Sequence, residues 1–196
     1  LDKDINKDTF SSKLSFDPGE YDGEIIFKRI DDKNYEGKLI INDNIPSGSH
    51  TVDLRSYSPL TSYYLIDNYS LEIGDTDYKE YYDKDVEEDK KRKISDIILD
   101  KTSYKYTDEI EATVSLDGPS TYNYIKLIFK KENSEEYINV LTTRVGDKTY
   151  RGIKLLDEFD VDGNYYLTSV AGAYNLMDSS VKIESNKFKD VKFNLS

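Results

Sequence analysis

A single histidine, His50, and no cysteine are all that this 196-residue chain offers to thiolate or imidazole chemistry. Disulfides, thiolate zinc sites and Cys nucleophiles need sulfur that is absent. No Gly-x-Ser-x-Gly elbow and no phosphate-binding loop occurs, so the usual parts of nucleophilic and metal-assisted mechanisms are missing. His50 has no partner at ligand spacing; it stands just after Gly48, at the opening of an expected strand, where a corner residue is the simpler reading. Paired carboxylates could run glycoside chemistry, but among 39 acidic residues close pairs arise by chance. The expectation is a protein that is not an enzyme.

Two patterns remain that could bind something. Asp160, Asp162 and Asn164 carry alternate oxygens ahead of a strand, as calcium loops do, yet the distal bidentate Glu is lacking. A turn explains the run as well as calcium does, and no other cofactor is implied. Asn42-Asp43-Asn44-Ile45-Pro46 is likewise read as a strand-end turn. Tyr57, Tyr63, Tyr64 and Tyr69, close to Pro59, could form an exposed aromatic patch on which a sugar or peptide stacks. Tyr-rich edge strands over a thin core account for the same residues.

The elements that would position these groups are strands. With 18 Tyr and 7 Phe the chain is too aromatic for disorder, although 34% of it is charged. A Tyr ring with a polar tip suits a core that lies close to water. The formal net charge of −12 opposes phosphate backbones and anionic lipid, so neither nucleic acid nor a membrane surface is an expected partner. No apolar run is long enough to insert as a membrane helix. The chain opens on Leu1 and not on Met, which suggests a fragment of a larger protein.

Self-similarity is the strongest signal. Asp32-Lys33-Asn34-Tyr35-Glu36-Gly37 matches Asp147-Lys148-Thr149-Tyr150-Arg151-Gly152, 115 residues on, and Gly48 and Gly163 keep that offset. Ile26-Phe27-Lys28-Arg29 matches Ile128-Phe129-Lys130-Lys131 at 102, and Leu14–Gly19 resembles Val114–Pro119 at 100. The growth of 13 residues falls on a polar insertion from Asn133 to Val145, expected to be a hairpin or loop. Glu111–Leu116 alternates polar and apolar, the mark of a half-buried strand, and turn signals such as Asp-Pro-Gly and Asp-Gly-Asn separate such runs at the spacing of a sandwich. Between the copies, residues 78–93 hold six acidic and six basic side chains and read as a solvated linker or short surface helix. Residues 1–77 hold 8 basic and 16 acidic side chains; residues 94–196 hold 13 and 17.

The opening Ile97-Ile98-Leu99-Asp100-Lys101-Thr102-Ser103-Tyr104, Asp108-Glu109-Ile110-Glu111-Ala112-Thr113-Val114, Lys126-Leu127-Ile128-Phe129, the Tyr150-x-Gly152 turn and Gly163-Asn164-Tyr165-Tyr166-Leu167 resemble bacterial Ig-like repeats of Gram-positive surface and secreted multidomain proteins. The first copy matches through Tyr35-Glu36-Gly37 and Pro46-Ser47-Gly48, with His50 where the second has Tyr165. The resemblance implies an all-β chain of two tandem immunoglobulin-like β-sandwich domains, residues 1–77 and 94–196, joined by the linker 78–93. It also implies an extracellular or cell-surface setting and a non-catalytic role as stalk, spacer or adhesive module. A glycan or a host or surface protein would be the partner. The alternative it leaves is an accessory glycan-binding module of a secreted cell-wall or polysaccharide hydrolase. Such sandwiches sometimes crosslink a first-strand Lys to a last-strand Asn, here Lys101 or Lys105 with Asn194.

Overall fold

The computed structural model describes residues 9–16, 21–31, 34–41, 45–58, 61–75, 84–156, 159–174, 181–183 and 188–196, without the side chains of 9–26, 52–68 and 189. The chain divides into two compact units, Leu1–Glu80 and Tyr81–Ser196. Among the described residues both are built from antiparallel strands, with one short helix and one 3-10 turn in the second. The all-β expectation therefore stands.

The first unit has strands β1 (Thr9–Phe16), β2 (Tyr21–Arg29), β3 (Tyr35–Gly37), β4 (Gly48–Ser58) and β5 (Thr61–Ile73), in the sheet order β3-β2-β1-β4-β5. An Asp31 turn reverses the chain between β2 and β3: its carboxylate accepts from the Asn34 backbone N–H at 2.9 Å and the Asn34 amide at 2.7 Å. That two-point grip is the local habit of Asp in turns.

The second unit opens with α1 (Val86–Asp89) and continues through β6 (Ile94–Leu99), β7 (Ser103–Tyr104), β8 (Glu109–Leu116), β9 (Tyr124–Lys131), β10 (Tyr137–Gly146), β11 (Thr149–Leu155), β12 (Gly163–Ala173), β13 (Val181–Lys182), a 3-10 turn (Phe188–Asp190) and β14 (Lys192–Leu195). Hydrogen bonds run along β6-β8-β11-β10-β9-β12-β14-β7, with β13 also on β12. All pairs are antiparallel except β14 with β7. β8 and β9 do not pair, yet their inward residues share one core (Ile110, Val114, Ile125, Phe129), so the sheet is curled over on itself. β10 makes this possible. Its Tyr137–Thr143 stretch pairs with β9 and its Thr143–Gly146 stretch with β11, the latter with a register shift between Arg144 and Gly146.

Three features refine or depart from the sequence reading. The polar insertion is the hairpin of the two readings and not the loop: it supplies the turn after β9 and most of β10, whose Ile138, Val140, Thr142 and Arg144 are buried. Its alternation, with Tyr137, Asn139 and Leu141 outward, places the polar residues on one face only. Tyr150-Arg151-Gly152 is not a turn but the middle of β11; a Cβ on Gly152 would run into the Leu141 carbonyl oxygen, so glycine lets β10 and β11 approach. Third, the short surface helix that is one reading of residues 78–93 does form, as α1, but two of its side chains are drawn into the unit it precedes. Val86 packs on the core, and Asp89, 2% exposed, accepts hydrogen bonds from the Thr121 backbone N–H at 2.9 Å and the Thr121 hydroxyl at 2.5 Å. A buried carboxylate satisfied by neutral donors leaves no trace in charge patterning.

The strands matched by the repeat have different neighbours in the two units. β1 pairs with β2 and β4, whereas its counterpart β8 pairs with β6 and β11. Without the inserted strand, Tyr35–Gly37 folds back on β2 and takes the place that β10 holds beside β9.

The core of the second unit is centred on Phe193 of β14. Its ring stacks on Tyr165 (5.2 Å, 11°) and meets Phe129 (5.1 Å) and Tyr104 (5.4 Å) edge-on, favoured arrangements for aromatic quadrupoles. Four strands from both ends of the unit thus share one ring. Phe193→Ala is expected to lower the unfolding free energy of the second unit by about 3–5 kcal/mol, the usual cost of a large aromatic cavity; urea titration followed by tyrosine fluorescence measures it.

Candidate functional site

The corner suggested at His50 and Tyr165 is present in both units. Tyr165, 1% exposed, donates its hydroxyl to the Val161 carbonyl at 2.6 Å. His50, 7% exposed, places Nε2 2.7 Å from the Pro46 carbonyl. Each bond spans four residues, and each crosses a glycine with positive φ, Gly48 at 126° and Gly163 at 149°. That conformation is one that L side chains rarely adopt, so glycine brings the chain round and the ring closes the turn behind it. Histidine and tyrosine serve the same purpose here, because both end a flat apolar ring with a hydrogen-bonding tip.

Asp160, Asp162 and Asn164 are directed at separate partners. Asp160 accepts from Lys154 Nζ at 3.1 Å. Asp162 accepts from the Tyr106 hydroxyl, whose pKa is raised first by that hydrogen bond and then by burial and the carboxylate's charge. Asn164 donates to Glu132 Oε2 at 3.3 Å and accepts from the Asn194 amide at 3.0 Å. Among the described residues no three His or acidic side chains gather as a metal site would need. Lys101 and Asn194 are also apart in function: Lys101 pairs with Asp108 at 3.8 Å and lies over the Tyr104 ring, while Asn194 holds Asn164.

Of the aromatic patch, Tyr57, Tyr63 and Tyr64 have side chains outside the described residues. Tyr69 is 53% exposed on β5, with Leu71 exposed two residues on and so on the same face. Most described tyrosines of the second unit face inward. Tyr104 donates to Asp100 Oδ1 at 2.7 Å and Tyr150 to the Tyr122 carbonyl at 2.9 Å, so these two polar tips are satisfied at the rim of the core, whereas the buried Tyr122 hydroxyl has no hydrogen-bond partner among the described residues. Tyr122 lies flat on Gly172, where a Cβ would meet its ring at 2.6 Å.

Beside Tyr122 lies a polar cluster of the second unit. Asp89, Thr121 and Tyr174 meet there, with the Tyr122 and Tyr174 rings 5.1 Å apart. Burial, then the Asp89 charge, pushes the Tyr122 phenol up to about 12, and the same two causes raise Tyr174. Burial is also the main reason that Tyr104 is raised. This cluster ties α1 to the segment ahead of β9.

The sequence reading missed the outward face of β10, β9, β12 and β14. Tyr137 lies opposite Lys130, Lys130 opposite Tyr166, and Tyr166 opposite Lys192, so four side chains form one row across four strands. Lys130 Nζ sits 5.5 Å over the Tyr137 ring and 2.7 Å from Glu135. This pairing holds Glu135 below the usual carboxylate range. An open cleft lined by Lys130, Asn133, Glu135 and Tyr166 adjoins the row. The alternation of Tyr137, Asn139 and Leu141 with buried residues is the signal in the sequence that could have found it.

No protein-family model matches the chain, and no curated protein matches it. Among solved structures it is similar to one described as the crystal structure of a tetra-tandem repeat in the extending region of a large adhesion protein. The identity is 12%, the TM-score 0.33, and the match covers 90% of this chain and 42% of that one. The chain thus spans less than half the length of that structure.

The hydroxyl chemistry has two measurable consequences. Tyr165→Phe removes the corner bond and leaves the Val161 carbonyl to water, so it is expected to cost the second unit about 1 kcal/mol in denaturant titration. Tyr122, Tyr174 and Tyr104 keep their protons in the folded state above the ordinary value of 10.0. The stability this carries is complete below pH 10 and is lost as pH rises from there through about 12. Spectrophotometric titration should therefore show a late tyrosinate fraction that appears together with unfolding; simple ionisation of every tyrosine near the ordinary value would contradict it.

Proposed function

We propose that this chain is a non-catalytic segment of an extracellular or cell-surface protein, acting as a spacer or adhesive module built from two immunoglobulin-like units. One observation carries the reading: the polar groups that could have done chemistry are committed to holding the fold. His50 and Tyr165 close corners, Asp160, Asp162 and Asn164 bind neighbouring side chains, and Asp89 anchors α1. Among the described residues no helix is long and apolar enough to cross a membrane. The immunoglobulin-like reading is supported in the second unit by the parallel pairing of β7 with β14 and by the tyrosine corner at the start of β12. In the first unit it is supported by the equivalent His50 corner.

A spacer must bear tension and recover from it. Pulled as single molecules, the full chain should unfold in two events whose contour gains stand in proportion to Leu1–Glu80 and Tyr81–Ser196, and both should return when force is released. One all-or-none event, or turnover of ester, phosphate or glycoside substrates abolished by a point substitution, would overturn the reading.

A further inference from the structure

The second unit has two outward sheet faces of opposite character. On β6, β8 and β11 the outward positions include Asp96, Glu109 and Glu111 against a single base, Arg151. On β9, β10, β12, β13 and β14 they carry Lys126, Lys130, Lys182 and Lys192, and no Asp or Glu. In a chain with 39 acidic and 27 basic residues such a face is unexpected from composition. Lys126, Lys182 and Lys192 are exposed and make no ion pair with a described residue, while Lys130 is covered by Glu135 from the adjoining turn.

The aromatic residues lie among these cations. Tyr137 is 47% exposed and Tyr166 half-buried, and they stand two strands apart with Lys130 between them, about 10 Å at the usual strand spacing. The row Tyr137, Lys130, Tyr166, Lys192 thus alternates a stacking ring with a cation at each strand step, and Leu141 and Lys126 lie further along the same face. A pyranose ring presents an apolar C–H face to an aromatic ring, and an acidic sugar adds a carboxylate or sulfate at its edge. An extended acidic polysaccharide repeats those two features at a similar step.

We propose that the outward face of β10, β9, β12 and β14 binds an anionic polysaccharide, its sugar rings on Tyr137 and Tyr166 and its acid groups at Lys126, Lys130 and Lys192. The net charge of −12 does not prevent this. At physiological salt, charges more than about 8 Å away are largely screened, so the local lysines decide the contact and the acidic remainder sets the distance from which approach is opposed. The Glu135–Lys130 pair is an exposed ion pair of small worth, and an incoming sulfate or carboxylate can replace Glu135 on Lys130. This inference rests on the adhesive form of the reading above; its failure would leave a spacer intact, since the pulling experiment does not depend on any ligand.

The test uses the full chain on immobilised heparin as the sulfated probe and polygalacturonate as the carboxylated one, with neutral dextran and a single-stranded oligonucleotide beside them. Retention on one or both acidic glycans and none on dextran is expected, falling about tenfold or more between 50 and 200 mM salt if several cations are engaged. The double variant K126E/K192E should abolish retention. Tyr137→Ala and Tyr166→Ala should each weaken it several-fold without changing its salt slope. R151E, on the other face, should leave it unchanged, and unaltered circular dichroism shows that each variant is folded. Absence of retention, retention indifferent to K126E/K192E, or oligonucleotide binding as strong as glycan binding would overturn the proposal. So would concentration-dependent self-association that K126E/K192E removes while glycan retention is absent, which would make the occupant a second copy's acidic face.

Discussion

Phe193 is the side chain on which the second unit depends. It lies three residues from the end of the chain, yet its ring touches Tyr104 from β7, Phe129 from the central strand β9 and Tyr165 from the corner before β12. Sheet hydrogen bonds alone would hold the last two strands of the sheet, β14 and the edge strand β7, through only four residues and two. Pairs so short gain little from their ladder. Burial of four rings supplies what the ladder lacks, and it fixes the parallel pairing of β14 with β7 by placing Phe193 between Tyr104 and Tyr165.

The same packing explains why so polar a chain keeps a core. Burying Tyr rather than Phe brings a ring of similar size, but its hydroxyl must find a partner or cost free energy. Tyr104, Tyr150 and Tyr165 find theirs in Asp100 and in two backbone carbonyls, all at the margin of the sheet. The hydroxyl therefore fixes where each ring points as well as how deeply it is buried. Each such bond also occupies a turn or strand end, which would otherwise need its own capping residue. A Tyr-rich core is in this sense one that organises its own loops.

Features set by local periodicity were legible in the sequence. Glu111–Leu116 alternates in composition and alternates between half-buried and buried in β8, since period two is a property of the strand itself. The corner was legible through the shared 115-residue offset that aligns His50 with Tyr165. The bridging strand was less so. β10 is half polar because one of its faces meets water, and its only local mark is the short alternation of Tyr137, Asn139 and Leu141 with Ile138 and Val140; which strands lie on either side of it is set by distant residues. Asp89 was hidden for a related reason: its fate is decided by Thr121, 32 residues away, and charge counting treats it like its exposed neighbours Glu87 and Lys90.

The inserted strand also gives the second unit what the first lacks. Without β10, β3 returns directly onto β2 through the Asp31 turn, so the two units reach their strand pairing by different routes from matching motifs. With β10 in place, β9 gains a neighbour on which Tyr137, Asn139 and Leu141 point outward, and Tyr137 comes level with Lys130. Folding alone asks only that the inward residues Ile138 and Val140 be apolar; polar residues of any kind would satisfy the outward positions. That an aromatic residue occupies the place beside Lys130, in a row continued by Tyr166 and Lys192, is therefore not a requirement of the core. The inward half of the insertion is explained by the fold it completes, and its outward half by the surface that it extends.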